Sequence, residues 1–478
     1  MTLRSVLGWT ALSVIVPGAA HLRAGRRRTG LSLLGAFGAL LAGVLIFVLT
    51  RNEGNLGSLI RDSMLMTISV GAGIGAVCWF ALVVVSYITL GPDRLDGRAQ
   101  IVSGILVGML CVAVTSPFAL AAQYVMTTRE TVHAIFSSLP DDGRPAPIRY
   151  QDPWNGKERV NILLIGGDAA SNRTGVRTDS MNVASIDVKT GNTVLFSLPR
   201  NLQHVRFSPG TPLAGHYPNG FMAELPNGGL LNEVWQFANE NPAIMGGQNQ
   251  GPKALMDAIG HTLGLKIDYY ALVNMYGFAN LVDAIGGLQI RVDQDVPWGG
   301  HFGTAGTIKA GYQRLSGEEA LWYGRSRVGS DDFSRMARQR CVIGAFAQQA
   351  TPDKILTNFT KIAGAARKMA QSNIPLELLE HLATLALKVK DAKITSLQFV
   401  PPQFWPGSAD WTKIRRAAAK AVADSLKPAR AGVTNAAAAP GTPTGTATRS
   451  QAAKPSQTPT RNQQEAESLT ELCGLDAP

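Results

Sequence analysis

Long apolar runs near the amino terminus restrict what this chain of 478 residues can fold into. Residues 31–50, 64–90 and 101–126 contain no charged side chain, and each run is long enough to cross a bilayer as a helix. A shorter apolar run over residues 6–20 contains Pro17-Gly18 and fits a fourth span, a re-entrant hairpin or an interfacial helix. No signal-peptide cleavage site follows it, so we expect it to stay in the mature chain. The prediction for residues 1–126 is an all-α membrane anchor with three to four transmembrane helices.

Arginines beside the first long run predict the orientation of the anchor. Arg23, Arg26, Arg27 and Arg28 crowd one short loop, and such loops stay on the cytoplasmic side of a membrane. The spans then alternate, so everything after residue 126 is predicted to be extracytoplasmic, whether or not the first short run spans. Residues 127–157 are predicted to form a juxtamembrane linker. The expected location is the cell membrane, as a multi-pass protein with its main domain outside the cytoplasm.

Residues 158–402 alternate between strand and helix patterns, which predicts one α/β or α+β domain around a central sheet. The aliphatic run of residues 160–167 is typical of a buried strand, and a Lys-Thr-Gly-Asn turn joins two further strand patterns into a hairpin. Ser316, with Glu319 three residues on, predicts a capped helix start. The other predicted elements are helices over residues 252–264, 278–284, 331–350 and 352–390 and strands over residues 268–273, 288–292 and 394–400.

The last part of the chain changes in composition. Residues 403–427 are predicted to form a C-terminal helix. Residues 428–478 are rich in Ala, Pro, Thr and Ser, and we predict a disordered tail there because such a segment has too little apolar surface to build a core.

Polar motifs accompany the predicted strands at three places. Asp168 directly follows the first strand, Arg177 and Asp179 share a face if their segment is extended, and Arg200 follows the third strand. Each motif also has a simple structural explanation: a turn for Asp168, a surface ion pair for Arg177 and Asp179, and a solvated side chain for Arg200. Strand ends are common ligand sites in sheets covered by helices, so both interpretations stay open at this point.

An arginine-rich stretch runs from Arg325 to Arg340 and contains no lysine. Arg325 and Arg327 are predicted to share a strand face, and Arg335, Arg338 and Gln339 fall on one face of a helix. The planar guanidinium fork binds phosphate oxygens in pairs, which lysine does not. The stretch therefore predicts an anion site, and the formal net charge of +11 also favours anionic partners.

Other function classes find little support in the sequence. It contains no GxGxxG, Walker A, HExxH or GxSxG motif, and its Cys and His residues lack zinc-site spacing. A nucleic-acid interface would need exposed aromatics among the basic residues or a known module, and the predicted topology places the arginines outside the cell; no nucleic-acid partner is expected. A membrane-bound regulator would need a cytoplasmic module, but the predicted cytoplasmic loops have only about ten residues.

These motifs, in this order and spacing, resemble the LytR-CpsA-Psr (LCP) family over about residues 158–350. The resemblance rests on the segments VNILLIGGD, VRTDSMNVASID, TVLFSLPRN, DYYALVNMYGFANLVDAIGGL, LSGEEALWYGRSR and DDFSRMARQR. It implies that residues 158–402 form an α/β/α sandwich-like catalytic domain with a central mixed sheet and a hydrophobic pocket for a polyprenyl chain. The PRN sequence, the basic composition and the Ala/Pro/Thr-rich tail are similar to actinobacterial members of the family.

The resemblance also implies a reaction. LCP proteins transfer a glycopolymer from a polyprenyl-pyrophosphate carrier to peptidoglycan with Mg²⁺ and release polyprenyl phosphate, and pyrophosphatase activity is an expected side reaction. The implied partners are the lipid-linked glycan, peptidoglycan and membrane lipid. By motif, the implied magnesium ligands are Asp168 and Asp179, the implied catalytic residues are Arg177, Arg200, Arg325, Arg327 and Asp332, and the implied substrate-binding residues are Arg335, Arg338 and Gln339. Asp332 is either a base or a structural brace.

Some features depart from the family pattern. Asn201 stands where the family often has Asp, residues 201–231 contain a Pro/Gly-rich insertion, and the family usually has a single span. The alternative function is a non-catalytic, membrane-anchored scaffold that binds the wall or polyprenyl lipid without turnover. Cys341 and Cys473 lie in the part predicted to be extracytoplasmic, where an oxidising compartment lets leftover thiols pair. We predict a disulfide between them that ties the tail to the arginine-bearing helix.

Overall fold

The computed structural model describes residues 2–50, 62–136, 152–168, 177–222, 229–299, 305–351, 354, 358, 370–375, 378–427 and 466–475. The chain divides into two compact units. The first comprises Met1–Lys157, Ala271–Gly287 and Ala350–Lys390, and the second comprises Glu158–Tyr270, Leu288–Gln349 and Asp391–Pro478.

The first unit contains the apolar helices of the amino-terminal region. They are α1 (Leu3–Ile15), α2 (Ala19–Arg23), α3 (Arg27–Thr50), α4 (Asp62–Thr89) and α5 (Gly97–Phe136). Among the described residues, two helices, within α4 and α5 and their flanks, are long and apolar enough to cross a membrane. Only 6% and 11% of their most apolar windows are buried in protein, which suits helices whose side chains face lipid. The 24-residue helix α3 covers the first predicted span.

The central sheet is mixed, as predicted. In the second unit it contains β1 (Arg159–Asp168), β2 (Arg177–Asp187), β3 (Thr193–Leu198), β10 (Ile394–Gln398) and β11 (Glu467–Ser468), in the order β11-β10-β3-β2-β1. β10 runs parallel to β3, and the other neighbours are antiparallel. The predicted hairpin is confirmed as β2–β3. Next in order is β4 (Tyr269–Asn274), whose residues Ala271–Val273 pair with β9 (Ala370–Ser372) in the first unit.

Two small antiparallel pairs and several helices complete the description. The pairs are β5 (Leu288–Val292) with β8 (Gly311–Leu315) and β6 (Val296–Trp298) with β7 (Gly306–Ile308). The helices are α6 (Pro212–His216), α7 (Val234–Glu240), α8 (Pro242–Met245), α9 (Gly251–Leu263), α10 (Met275–Ala284), α11 (Gly317–Arg325), α12 (Asp332–Gln349), α13 (Leu379–Asp391), α14 (Trp411–Ser425) and α15 (Leu469–Cys473).

The core of the second unit lies around β3, which is buried along its whole length. Both α12 and α14 pack against β3 and β10, and burial on both faces of a strand requires helices on both sides of the sheet. The large side chains at the centre include Phe196, which stacks on Phe399 with ring centroids 6.2 Å apart. The predicted α/β class with helices flanking a mixed sheet is thus confirmed.

Helix α11 begins where the sequence predicts it. Ser316 Oγ accepts the Glu319 backbone N–H at 3.3 Å, and Glu319 Oε2 accepts the Ser316 backbone N–H at 2.9 Å. The predicted helix over residues 352–390 is wrong at β9, where Ala370–Ser372 are extended by pairing with β4. Much of residues 352–369 lies outside the described part of the chain.

The end of the chain departs from the predicted disordered tail. Residues 428–465 lie outside the described residues, but Glu467–Ser468 pair with β10 and Leu469–Cys473 form α15 against α12. A disulfide joins Cys341 of α12 to Cys473, with Cα atoms 5.4 Å apart. Gly344 makes room for this contact, because an added Cβ there would collide with the Leu469 side chain. The disorder prediction is wrong for residues 466–475, since cross-linking and pairing stabilise a segment whose composition alone would not.

Candidate functional site

Three strand ends meet at one edge of the sheet. Because β1 and β3 both run antiparallel to β2, the carboxyl ends of β1 and β3 lie beside the amino end of β2. Asp168 ends β1 opposite Arg177, which begins β2, and Arg200 follows β3 by two residues. The topology therefore brings the three predicted motifs to one place. The side chains of Asp168 and Arg177 lie outside the described part of the structure.

A β-bulge positions Asp179. Gly166 pairs with Ser180 and Gly167 with Thr178, so Asp179 is the extra residue on β2. A bulge bends a strand and redirects a side chain, and bulges are common beside active sites. The Asp179 carboxylate accepts a hydrogen bond from Arg200 Nη1 at 2.6 Å. Asp179 thus forms an ion pair with Arg200; the pair with Arg177 suggested by the sequence lies outside the described side chains.

Four charged residues form a continuous ion-pair network, which we call the charge cluster: Asp179, Arg200, Asp332 and Arg335. Asp332 Oδ1 lies 3.0 Å from Arg335 Nη2 and 3.6 Å from Arg200 Nε. Arg335 also donates to the Asp179 backbone carbonyl at 3.3 Å. The cluster joins the end of β3 and the bulge in β2 to the first turn of α12, which follows more than a hundred residues later in the chain.

Burial strengthens the electrostatic interactions among the charged groups of the cluster. Arg335 is only 4% exposed. Its burial lowers the pKa of the guanidinium, Asp332 acts against that shift, and Arg200 and Arg327 lower the pKa further. Both Asp332 carboxylate oxygens are inaccessible to solvent and make no hydrogen bond within the described residues. Asp332 therefore lies where a carboxylate holds two arginines together, which favours the brace over the base.

The local structure around Arg325 and Arg327 differs from the predicted strand. Arg325 is the last residue of α11, Ser326 is its C-cap, and Arg327 is exposed in the following turn. The helix overrides the alternation of polar residues because its capping box starts it early and the Ser326 N–H still bonds to the Trp322 carbonyl at 2.7 Å. The Arg325 guanidinium lies 5.3 Å from the centre of the Trp322 ring, a cation–π distance.

Arg338 and Gln339 bind neighbouring backbone. Arg338 is 8% exposed, and it donates to the Tyr323 carbonyl at 2.7 Å, to the Ser326 carbonyl and to Ser330 Oγ at 3.3 Å. Gln339 donates to the Gly324 carbonyl at 3.0 Å. Both side chains fix the turn that carries Arg327 against α12. Of the helix face expected to bind substrate, only Arg335 belongs to the charge cluster.

Two asparagines, Asn201 and Asn232, lie beside the cluster, and neither is predicted from the sequence as a site residue. The Asn232 N–H donates to the Arg200 carbonyl at 3.1 Å, and the Asn232 carbonyl accepts from Thr178 Oγ1 at 3.3 Å. The Oδ1 atoms of Asn201 and Asn232 are buried and have no hydrogen-bond partner among the described residues. The insertion that ends near Asn232 thus supports Arg200 from behind, a contact between distant segments that no local pattern signals.

The side chains at this edge carry oxygen atoms, the type of ligand that a magnesium ion prefers. Within the described residues, no group of three or more His, Cys, Asp and Glu side chains could hold a metal ion. Mg²⁺ needs fewer, because one or two carboxylates together with waters and substrate phosphates complete its shell. Asp179, the buried amide oxygens of Asn201 and Asn232, and Asp168 at the neighbouring strand end are all hard oxygen donors.

The chain is similar to known proteins over the region that contains these site residues. A model of the LytR_cpsA_psr family matches residues 124–427, more than half of the chain. The polyisoprenyl-teichoic acid–peptidoglycan teichoic acid transferase TagU of Oceanobacillus iheyensis is 28% identical over 259 residues, which are 53% of this chain and 71% of that protein. The cell wall biosynthesis protein LcpA of Corynebacterium glutamicum is 26% identical over 239 residues, 45% of this chain and 44% of LcpA.

The aligned part is therefore only a portion of several relatives. The TagU of Bacillus anthracis strain CDC 684 is 26% identical over 219 residues and is covered over 61% of its length. The crystal structure of B. subtilis TagV is similar at 23% identity with a TM-score of 0.40, over 55% of this chain and 97% of that one.

Proposed function

The chain belongs to the LytR-CpsA-Psr family, and on that premise we propose that it transfers a glycopolymer from a polyprenyl-pyrophosphate carrier to peptidoglycan. The observation that carries the proposal is the charge cluster, in which Arg200 and Arg335 converge with Asp179 and Asp332 at one edge of the sheet. Relatives named as transferases to peptidoglycan support the same reaction.

The arginines suit a pyrophosphate. Arg200, Arg327 and Arg335 carry three positive charges against two from Asp179 and Asp332, and Arg335 responds electrostatically to all four. One positive charge is therefore in surplus, and it stays at one when Arg177 and Asp168 at the neighbouring strand ends are both counted. A pyrophosphate repels an incoming oxygen nucleophile through its own negative charge, and fixed guanidinium groups offset that charge as the transition state forms.

The proposed step breaks one phosphorus–oxygen bond and forms another. A sugar hydroxyl of peptidoglycan attacks the phosphorus that bears the glycan, and the bond from this phosphorus to the oxygen that bridges the two phosphates breaks. The hydroxyl proton passes to that departing phosphate oxygen. The products are a phosphodiester between glycan and peptidoglycan and a free polyprenyl phosphate. The reaction needs no nucleotide, because the pyrophosphate bond already activates the glycan.

Asp332 acts in this proposal as a positioning residue. Its Oδ1 lies 3.0 Å from Arg335 Nη2 and 3.6 Å from Arg200 Nε, so this carboxylate holds the two guanidinium groups together. Without this carboxylate the two guanidinium groups would repel each other and the nearly buried Arg335 would lose its counter-charge. Asp332 therefore sets the geometry of the groups that bind the pyrophosphate.

Mg²⁺ completes the proposed site. Asp168 and Asp179 would hold it, with Asn201 and Asn232 as further oxygen donors near Arg200. When bound, the ion would neutralise phosphate charge and orient the two phosphates. Asp179 then has two tasks, since it also holds Arg200 at 2.6 Å.

The membrane anchor fits a lipid-linked substrate. Helices α4 and α5 have the length and apolar composition of membrane spans, and the arginines at residues 23–28 lie at the end of α2, at the start of α3 and between these helices. We propose a multi-pass anchor that keeps the catalytic domain on the extracytoplasmic side, next to the bilayer that carries the polyprenyl chain. The lipid-linked glycan would then lie at the extracytoplasmic surface of the same membrane that holds the anchor.

Reconstitution tests the function. The full chain in lipid vesicles receives a polyprenyl-pyrophosphate glycan, peptidoglycan fragments and Mg²⁺, and release of polyprenyl phosphate is measured. We expect release that depends on both acceptor and Mg²⁺ and stops when a chelator removes the ion. Retention of the lipid-linked glycan without any product would instead identify a non-catalytic scaffold.

A further inference from the structure

A cavity of about 650 Å³ lies beside α12 in the second unit. Its wall on α12 includes Phe333, Ala337 and Arg340, which recur at helical spacing on one face. Arg335 and Gln339 project from the other side of the same helix, toward the charge cluster and the α11 turn. The cavity is thus a separate feature whose volume falls within the range of about 300–1,000 Å³ that is typical of small-molecule sites.

Two polar side chains of β10 line the cavity without partners of their own. Ser396 is 1% exposed, and neither its Oγ nor Gln398 Nε2 has a hydrogen-bond partner among the described residues. The two residues are two apart on a strand and so share one face. β10 pairs with β3 along its whole length and with β11 at Thr395 and Ser396, so at Ser396 the backbone has a strand on either side. Buried polar groups in native proteins nearly always have a partner, and a ligand with hydroxyl or amide groups would supply one here.

Two aromatic side chains belong to the same lining as these polar groups. Trp405 lines the cavity and is 60% exposed, and Phe333 lies in the same lining. A large exposed indole beside a cavity is a binding feature rather than part of the core. A sugar ring matches this combination, because its C–H face stacks on an aromatic ring while hydroxyl groups around its edge bond to polar side chains.

We propose that this cavity binds a saccharide, a short stretch of one of the two glycans that meet in the reaction. A hydrocarbon chain would leave Ser396 and Gln398 unsatisfied. A phosphate would meet the carboxylates of Asp331 and Glu467 against the single guanidinium of Arg340. This assignment rests on the proposed function, in which the bound saccharide comes either from the donor glycopolymer or from the peptidoglycan strand.

The end of the chain supplies part of this cavity. Glu467 lies in β11, which pairs with β10 and is anchored by the disulfide between Cys341 and Cys473. The disulfide therefore holds a wall of the saccharide site and gives residues 466–475 a role that their composition does not suggest.

Direct binding tests the proposal without turnover. The purified full chain is titrated calorimetrically, without Mg²⁺ or lipid, with two probes: a peptide-free peptidoglycan oligosaccharide, and an oligosaccharide freed by mild acid from the wall glycopolymer of the source cell. We expect at least one to bind, and Trp405→Ala and Gln398→Leu each to weaken its affinity roughly tenfold. Tyr312→Ala is the matched control, since Tyr312 is an exposed aromatic (38%) outside this cavity, and it should bind like wild type.

The outcomes separate the two proposals. Binding of one probe identifies the source of the glycan, and affinity lost in Trp405→Ala and Gln398→Leu but kept in Tyr312→Ala supports the cavity as the site. Wild-type protein that binds neither oligosaccharide, or binds one equally well in all variants, overturns the saccharide site. That result leaves the proposed transfer reaction untouched, because the titration contains no pyrophosphate. Failed transfer together with intact saccharide binding would contradict the transfer reaction and keep the saccharide site.

Discussion

The arginines at this site differ in what their guanidinium groups contact, and this determines which of them can bind a phosphate. Arg200 touches both Asp179 and Asp332, whereas Arg327 is exposed in a turn. Arg338, although part of the same arginine-rich stretch, gives its donors to backbone carbonyls. The sequence predicts where arginines concentrate but not which of them remain available, because that depends on carbonyls of the α11 turn.

Arg200 is the residue whose loss should cost the reaction most. Arg200→Ala is expected to reduce the transfer rate by about 10²–10³-fold, the effect of removing one donor from a developing oxyanion. Arg200→Lys should recover only part of the rate, because an ammonium group cannot bind oxygens in pairs. Arg416→Ala, which removes an exposed arginine on α14, is the control. Steady-state release of polyprenyl phosphate measures all three, and an unchanged rate in Arg200→Ala would refute this part of the site.

Asp332→Asn distinguishes a positioning residue from a base. The variant keeps the side-chain shape but leaves Arg335 without its counter-charge, so we expect a raised KM for the donor, a smaller fall in kcat and lower stability. The pH–rate profile should keep its shape, since no titrating group of the reaction is removed. Disappearance of its acidic limb would show that Asp332 is the base.

At the scale of elements, the sequence predicts those that carry their own signals. The buried β1, the β2–β3 hairpin and the capped start of α11 all appear as expected. Three features have no local signal: the bulge at Asp179, the return of β11 to β10, and β9 within a predicted helix. The bulge depends on the register of β1 with β2. The other two features depend on pairing with strands distant in sequence, and pairing of this kind overrides local preference.

The β2–β3 turn gives a prediction about pH. Burial alone would raise the pKa of the Asp187 carboxyl, but hydrogen bonds from Thr190 and Lys189 and the charge of Arg159 lower it below its ordinary range. Ionised Asp187 therefore stabilises the fold above the ordinary carboxyl range, and this contribution is lost as the pH falls through the lowered pKa. Asp187→Asn should lower the free energy of unfolding by about 1–2 kcal/mol near neutral pH.

Thermal unfolding of wild type and Asp187→Asn over a pH series checks this sign. The difference between their midpoints should be constant from pH 7 to the ordinary carboxyl range and should shrink below it, because the wild type then loses its ionised side chain. A difference that grows with acidity would contradict the assignment.

The tail predicts a specific cross-linked peptide. Trypsin cuts after Arg340 and Arg461, so a disulfide joins the peptide that begins at Cys341 to the one that begins at Asn462. Mass spectrometry of the non-reduced full chain should detect this pair, and reduction should separate it. Two free thiols in freshly purified protein would contradict the pairing of β11 as described, because α15 would lose its covalent link to α12.

At the scale of the whole molecule, the features point to one use. Apolar helices suited to lipid, an arginine-rich edge suited to pyrophosphate, and a cavity suited to sugar correspond to the three chemical parts of a lipid-linked glycan. The sequence alone predicts the first two, since hydropathy and charge are local properties. The cavity requires α12, β10, Trp405 and the returning tail together, so only the folded chain shows it.

The central claim is that a phosphate moves with the glycan, and the fate of that phosphorus tests it most directly. A donor labelled with radioactive phosphorus in the phosphate that bears the glycan is incubated with the reconstituted chain, Mg²⁺ and peptidoglycan, and the products are separated. The account predicts label in a phosphodiester on peptidoglycan and unlabelled polyprenyl phosphate. Label in the released lipid, or in free glycan phosphate with none on peptidoglycan, would contradict it.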